Sequence, residues 1–197
     1  MPEFETRDPT APGFWSERFE KAFMPWDRQG VPEDLRRFVS EQAPSSVLIP
    51  GCGTGYEAAF FAEAGWDVTA IDFSPAAVAA ARRHLGPLAD RVVEADFFEF
   101  GPARSPQVVY ERAFLCALPP AMNGRVVARW MELLPPGGLL AGFFFLGDGE
   151  KGPPFPVAPE RLEALLAPGF IRIEDRAAAD SIPVFAGRER WQVWRKR

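Results

Sequence analysis

The sequence predicts an α/β protein built on one doubly wound, mostly parallel sheet of seven strands, with an antiparallel hairpin at one edge and a helical segment at the N-terminus. Three observations predict it. A short apolar run, a turn and a helix recur along the chain, and such alternation implies parallel strands covered by helices on both faces. The first run ends in a glycine-rich turn, Gly51-Cys52-Gly53-Thr54-Gly55. The last two runs have no full helix between them, which implies antiparallel pairing.

Each element has its own signal. Near the N-terminus Trp15, Phe19 and Phe23 recur every four residues, the spacing of one helical face. Ser46 to Pro50 reads as a buried strand, and a helix from about Glu57 to Ala64 follows the glycine turn and stops at Gly65. Asp67 to Ile71 is the second strand. Ser74 reads as the N-cap of the next helix, with Pro75 at its first position and Gly86 as its stop. Arg91 to Ala95 and Gln107 to Phe114 are the third and fourth strands. Pro119 and Pro120 open a helix through Leu134, closed by Pro135-Pro136-Gly137-Gly138. Leu139 to Leu146 is the fifth strand, and a loop rich in glycine and proline runs from Gly147 to Pro156. A helix over Glu160 to Leu166 precedes the last strands, Ile171 to Asp175 and Trp191 to Arg195.

Composition narrows the function. The 197 residues form a single domain, 1–197, with 47% apolar residues and a net charge of −5. The acidic balance argues against nucleic acid as a partner, since such binding depends on basic patches. The one basic cluster, Arg188 to Arg197, alternates as a terminal strand does. A single histidine, His84, excludes a Ser-His-Asp triad and a histidine-rich metal site; no metal is expected. Cys52 and Cys116 form no CxxC pair. No apolar run reaches membrane-span length, so no membrane partner is expected. The chain is read as a cytoplasmic monomer acting on a small molecule.

In an open α/β sheet, ligands bind outside the carboxyl ends of the strands. The glycine turn, Asp72, Asp96 and Arg112 gather there. Gly51, Gly53 and Gly55 let backbone approach a ligand. A dinucleotide enzyme prefers G-x-G-x-x-G, but Tyr56 stands at its last position. The fit is to G-x-G-x-G, the pattern of enzymes that use S-adenosyl-L-methionine as co-substrate. Asp72, with Phe73 beside it, is placed to accept from both ribose hydroxyls, a feature NAD enzymes share. Asp96 and Phe97, at the end of the third strand, suit an adenine amine and ring. Cys52 reads as a packing residue and His84 as a solvated one.

Four stretches carry a family resemblance: FWSERFEKAFMPWDRQGVP, VLIPGCGTGYE, YERAFLCALPPAM and GPPFPV. In them the chain resembles the thiopurine S-methyltransferase superfamily, which includes the thiol, thiocyanate and halide methyltransferases. The common methyltransferase turn has an acidic residue where Ile49 stands, whereas this superfamily has an apolar residue followed by proline, as at Pro50. The resemblance implies a class I, Rossmann-like methyltransferase fold with residues 1–30 as a lid over the cofactor. Trp15, Phe19 and Trp26 match the lid aromatics. Arg112 matches an arginine that approaches the methionine carboxylate or the acceptor in the thiopurine branch, while GCGTGYE and Asp72 are closer to the halide branch. A structural reading of Arg112 is a salt bridge to Glu111 or Asp96.

The expected reaction is methyl transfer to sulfur (thiol, thiopurine or thiocyanate) or halide, without a protein base. The loop Pro153-Pro154-Phe155 is expected to wall the acceptor, and Asp148 or Glu150 to restrict access. Phe143, Phe144 and Phe145 are expected to be buried. The alternatives are an oxygen or nitrogen acceptor, an NAD-dependent reductase, and a cofactor-binding protein without activity.

Overall fold

A computed structural model describes residues 2–197. Seven strands form one sheet in the order β3-β2-β1-β4-β5-β7-β6. They are β1 (Ser46–Pro50), β2 (Asp67–Asp72), β3 (Val92–Glu94), β4 (Val108–Arg112), β5 (Leu139–Phe145), β6 (Phe170–Ala177) and β7 (Glu189–Lys196). The pairs from β3 to β5 are parallel, while β7 runs antiparallel to both β5 and β6. The chain leaves β1 toward β2 on one side and returns through β4 on the other, so the C-terminal ends of β1 and β4 open a crevice.

The helices are α1 (Pro12–Glu20), α2 (Glu33–Glu41), α3 (Tyr56–Glu63), α4 (Pro75–Leu85), α5 (Asn123–Leu133) and α6 (Pro159–Leu166). Strand alternation divides the core into two layers. Val47, Ile49, Val68 and Ala70 face Leu35 and Phe38 of α2, Phe61 of α3 and Val78 and Ala81 of α4. Leu48, Ile71, Val109 and Leu140 face Val126 and Trp130 of α5 and Leu162 and Leu166 of α6. Burying each such large side chain contributes roughly 1.5–3 kcal/mol.

Four local features differ from the sequence expectation. α2 was not expected: six of its nine residues are charged or polar, yet its amphipathic spacing buries Leu35, Phe38 and Val39. α1 ends at Glu20, and Ala22 at φ +50° turns the chain, so Phe23 lies beyond the helix that carries Trp15 and Phe19 and packs against Phe4. Pro120–Met122 forms a 3₁₀ turn before α5 begins at Asn123. β4 ends at Arg112, because Ala113 takes φ +54°. The N-cap of α4 is as expected: the Ser74 hydroxyl accepts from the Ala77 N–H at 3.2 Å. Among the described residues no helix is long and apolar enough to cross a membrane.

Candidate active site

A cavity of about 1000 Å³ lies over the C-terminal ends of β1, β2 and β4. Its floor is the turn after β1. Gly51, Gly53 and Gly55 all have positive φ (+61°, +55° and +79°), conformations that cost a side-chain-bearing residue roughly 1–2 kcal/mol. Gly51 and Gly53 line the cavity. Gly55 does not: a Cβ there would lie 2.8 Å from the Leu85 Cδ1, so its smallness seats α4 against the turn. The third glycine, expected to contact cofactor, lies outside the cavity lining and packs against α4.

Asp72 closes the turn from the next strand. Its Oδ2 accepts from the Gly53 N–H at 3.1 Å and its Oδ1 from the Ser74 N–H at 2.9 Å. Burial pushes its pKa up to about 6 despite these bonds, because desolvation disfavours the charged form. Each oxygen keeps a lone pair for a ligand hydroxyl. Phe73, Asp96 and Phe97 continue the wall. The exposed Asp96 accepts from the Phe98 N–H at 2.8 Å, and the buried Phe97 packs edge-on to Phe98 and Phe114.

The N-terminal segment covers this floor. Trp15, Phe19 and Trp26 all line the cavity, with Trp26 edge-on to both Trp15 (5.3 Å) and Phe19 (6.4 Å). Side-chain contacts fasten the segment to three parts of the molecule. Ser16 meets Ser74 hydroxyl to hydroxyl at 2.9 Å, the Thr54 hydroxyl donates to Asp27 at 3.0 Å, and Arg28 pairs with Asp180 at 2.9 Å.

Arg112 rises from the end of β4 with its side chain only 8% exposed. It pairs with neither Glu111 nor Asp96. Its Nε lies 3.3 Å from the Glu57 carboxylate, its Nη1 lies 3.9 Å from Glu189, and its guanidinium stacks over Phe143 at 4.7 Å. Nη1 and Nη2 have no hydrogen-bond partner among the described residues. Adjacent residues on a strand face opposite sides, so Glu111 turns away and accepts from the Phe114 and Leu115 N–H groups at 3.2 and 3.1 Å. Burial raises its pKa to about 8.

The remaining wall differs from the sequence expectation. Gly152, Pro153 and Pro154 line the cavity, but Phe155 does not, and its N–H donates to the Cys116 carbonyl at 2.6 Å. Val184 and Phe185, from the β6–β7 connection, close the same side. Their signal in the sequence was an apolar Ile182-Pro183-Val184-Phe185 run inside a loop. Cys52 and Cys116 also line the cavity as buried free thiols, with desolvation raising the pKa of each. Asp148 and Glu150 border a separate surface depression with Lys151 and Arg188. Phe143, Phe144 and Phe145 are buried in the sheet, as expected. His84 is exposed on α4, its ring 4.3 Å from that of Tyr56, and neither lines the cavity.

A seven-stranded sheet of this order, with a glycine turn and an acidic residue at the ends of its first two strands, defines a class I S-adenosylmethionine-dependent methyltransferase. Solved structures agree on the fold. Magnesium protoporphyrin IX methyltransferase from Synechocystis PCC 6803, with bound S-adenosylmethionine, superposes with TM-score 0.74 at 15% identity, covering 99% of this chain and 100% of that one. The 1,6-didemethyltoxoflavin-N1-methyltransferase of Burkholderia thailandensis, with bound S-adenosylhomocysteine, gives 0.73 at 20% identity, covering 99% and 93%.

The family model for thiopurine S-methyltransferase matches residues 10–197, and the chain belongs to that family. It is 30% identical over 195 residues to a probable thiol methyltransferase 2 of Arabidopsis thaliana, covering 93% of this chain and 85% of the relative. Thiocyanate methyltransferase 1 of the same plant is 29% identical over 192 residues, with the same coverage. A thiopurine S-methyltransferase of Methylococcus capsulatus is 30% identical over 194 residues, covering 87% of each chain.

Proposed function

We propose that this enzyme methylates a small, polarizable sulfur or halide nucleophile and supplies alignment and dryness rather than a proton-accepting group. The observation that carries this reading is the wall opposite the glycine turn. Trp26, Pro153, Pro154 and Phe185 make it apolar, Arg112 is its buried cation, and His84 lies elsewhere. Such a wall disfavours a hard, strongly hydrated anion more than a diffuse one.

The cavity fits S-adenosylmethionine on three counts. Its volume is at the upper end of small-molecule sites, roughly 300–1,000 Å³, and leaves room for a second ligand. Asp72 holds spare acceptor capacity beside the glycine turn, and Arg112 holds two unpaired donors. When bound, the co-substrate supplies a methyl group on a sulfonium, which is already an activated donor. Asp72 would hold the ribose, Phe73, Asp96 and Phe97 the adenine, and Gly51 and Gly53 the backbone approach to the methionine end. The segment 1–30 acts as the lid, its three aromatics excluding water. Alignment of this kind is worth an effective molarity of roughly 10⁵ M or more. The two free cysteines support a cytoplasmic enzyme and the acidic balance a small-molecule rather than nucleic-acid partner, and the protein is read as a one-domain monomer.

The test is adenosylhomocysteine release with a panel of thiols, a thiopurine, thiocyanate and iodide, followed by pH–rate profiles. With a thiol the rate should rise toward the thiol's own pKa, about 8.5 for a free cysteine-like group, because thiolate is the nucleophile. With thiocyanate or iodide it should be nearly flat across that range. A steep limb shared by both acceptors would reveal a titrating protein group and reject the base-free mechanism. Turnover of alcohols or amines alone would reject the acceptor class, and release with no acceptor tested would leave a binding protein.

A further inference from the structure

Trp26, Asp27 and Arg28, consecutive residues near the end of the lid segment, touch both sides of the cavity. The Asp27 carboxylate accepts from the Thr54 hydroxyl, on the glycine turn, at 3.0 Å. Trp26 packs against the buried cluster of Cys116, Phe145 and Phe185, where Ile182 and Val184 also pack. Arg28 grips the β6–β7 connection itself. Its Nη1 donates to the Asp180 carbonyl at 2.7 Å, and its Nη2 lies 2.9 Å from the Asp180 carboxylate. Asp180 shortly precedes Val184 and Phe185, the two residues of that connection that line the cavity.

The connection has few other holds. At the start of α2 the Glu33 N–H donates to the Asp180 Oδ2 at 3.1 Å, and the buried Asp34 accepts from the Ala179 N–H at 2.9 Å. The Ser181 hydroxyl donates to Glu189 at 2.6 Å. Beyond Ser181 the bonds are local: the Phe185 N–H donates to the Ile182 carbonyl and the Arg188 N–H to the Phe185 carbonyl. The place of Val184 and Phe185 therefore depends on apolar packing and on where Asp180 is pinned. A partly exposed ion pair adds little stability by itself. A guanidinium that holds a carboxylate and a carbonyl of one residue, however, fixes direction as well as distance. The Asp180 Oδ1 is buried with no partner among the described residues, so Oδ2 and the carbonyl carry the whole attachment.

We propose that Arg28 and Asp180 are positioning residues for the methyl acceptor, which tie its wall to the lid. Through them the seated lid sets Val184 and Phe185 against the cavity, so that the acceptor wall is complete only when the lid is closed. The pair acts through those two apolar side chains and serves the acceptor rather than the cofactor. The proposal rests on the reading that residues 1–30 are a lid over S-adenosylmethionine and that this wall faces the acceptor.

Two readouts test it, with Arg28→Gln and Asp180→Asn, each of which removes one charge of the pair. The first needs no acceptor: hydrogen–deuterium exchange with and without S-adenosylhomocysteine. In the unaltered protein the ligand should slow exchange both near Trp15 and over residues 179–188. In either variant it should slow exchange near Trp15 alone. The second is steady-state kinetics with thiocyanate and with a thiol. Both variants should raise the acceptor KM about fivefold or more, by more than they lower kcat, and leave S-adenosylhomocysteine affinity within about twofold. Arg28→Lys should recover part of the loss, and the double variant should be no worse than the worse single one, because both break the same contact. Exchange over 179–188 that still slows in the variants, or an acceptor KM they leave unaltered, overturns the tie. Cofactor affinity that falls as far as the acceptor KM rises assigns the pair to the cofactor and overturns it too. Should Asp180→Asn fail to fold, Arg28→Gln decides, since Arg28 lies outside both core layers. If the unaltered protein binds S-adenosylhomocysteine but turns over neither acceptor, the acceptor reading fails and exchange decides the tie. If it binds no S-adenosylhomocysteine, the lid reading fails and the tie with it.

Discussion

The two sides of the cavity are built in different ways. The floor is local: the turn after β1, Asp72 at the end of β2 and the N-cap of α4 span little sequence, and the Asp72 and Ser74 side chains join them by accepting from backbone N–H groups. The opposite side comes from four distant places: the N-terminal segment, the chain after β4, the loop after β5 and the β6–β7 connection. Side chains hold it together, through Thr54 on Asp27 and Arg28 on Asp180. A site of the first kind follows from the strand ends of the fold. A site of the second kind changes with loop sequence, and that is where acceptor choice resides in this reading.

Removal of the second side alone gives the largest expected effect. A chain lacking residues before Val31 should lose turnover altogether yet keep its far-ultraviolet circular dichroism, because the sheet and both core layers lie outside that segment. In the intact protein, proteolysis near Trp15 should slow when S-adenosylhomocysteine is added. Cleavage at one rate with and without ligand would show that the segment is not a lid.

Damage to the first side comes next. Asp72→Ala should weaken S-adenosylhomocysteine by roughly 1.5–3 kcal/mol, the range for hydrogen bonds to a charged group, with thiol KM nearly unchanged. In the unaltered protein the same affinity should decline as pH falls through about 6, where Asp72 takes up a proton, and level off above it. Calorimetry across that range checks both. An equal rise in acceptor KM would mean that the two sides are not separable.

The smallest effect concerns the support beneath both. Glu111 has a folded-state pKa raised to about 8, above the roughly 4.3 of an unfolded glutamate. Its protonated form is therefore favoured by folding, and that contribution is full below the unfolded value and lost as pH rises through the folded one. Glu111→Gln keeps an acceptor for the Phe114 and Leu115 N–H groups without that loss. It should match the unaltered protein near pH 4.5 and melt several degrees higher above pH 8. A melting curve lowered at every pH would show that the carboxyl group itself is needed.

Much of this protein was determined by its sequence alone. Gly51 and Gly53, Asp72 and the Ser74 cap were legible because each depends on backbone geometry at a strand end, which a few adjacent residues dictate. The same holds for β1, β4 and β5, whose apolar runs reflect burial on both faces. Tertiary structure decided the rest. Nothing near Gly55 in sequence says that Leu85 crowds it, so its packing role emerges only when α4 docks. Phe155 and Phe185 are both aromatics in loops, and which one reaches the cavity depends on where each loop is tied down. Glu57 and Glu189 meet Arg112 from α3 and β7, 55 residues before it and 77 after. Charge pairing across such separations has no local signature, because it is set by how strands align in the sheet and not by the residues on either side.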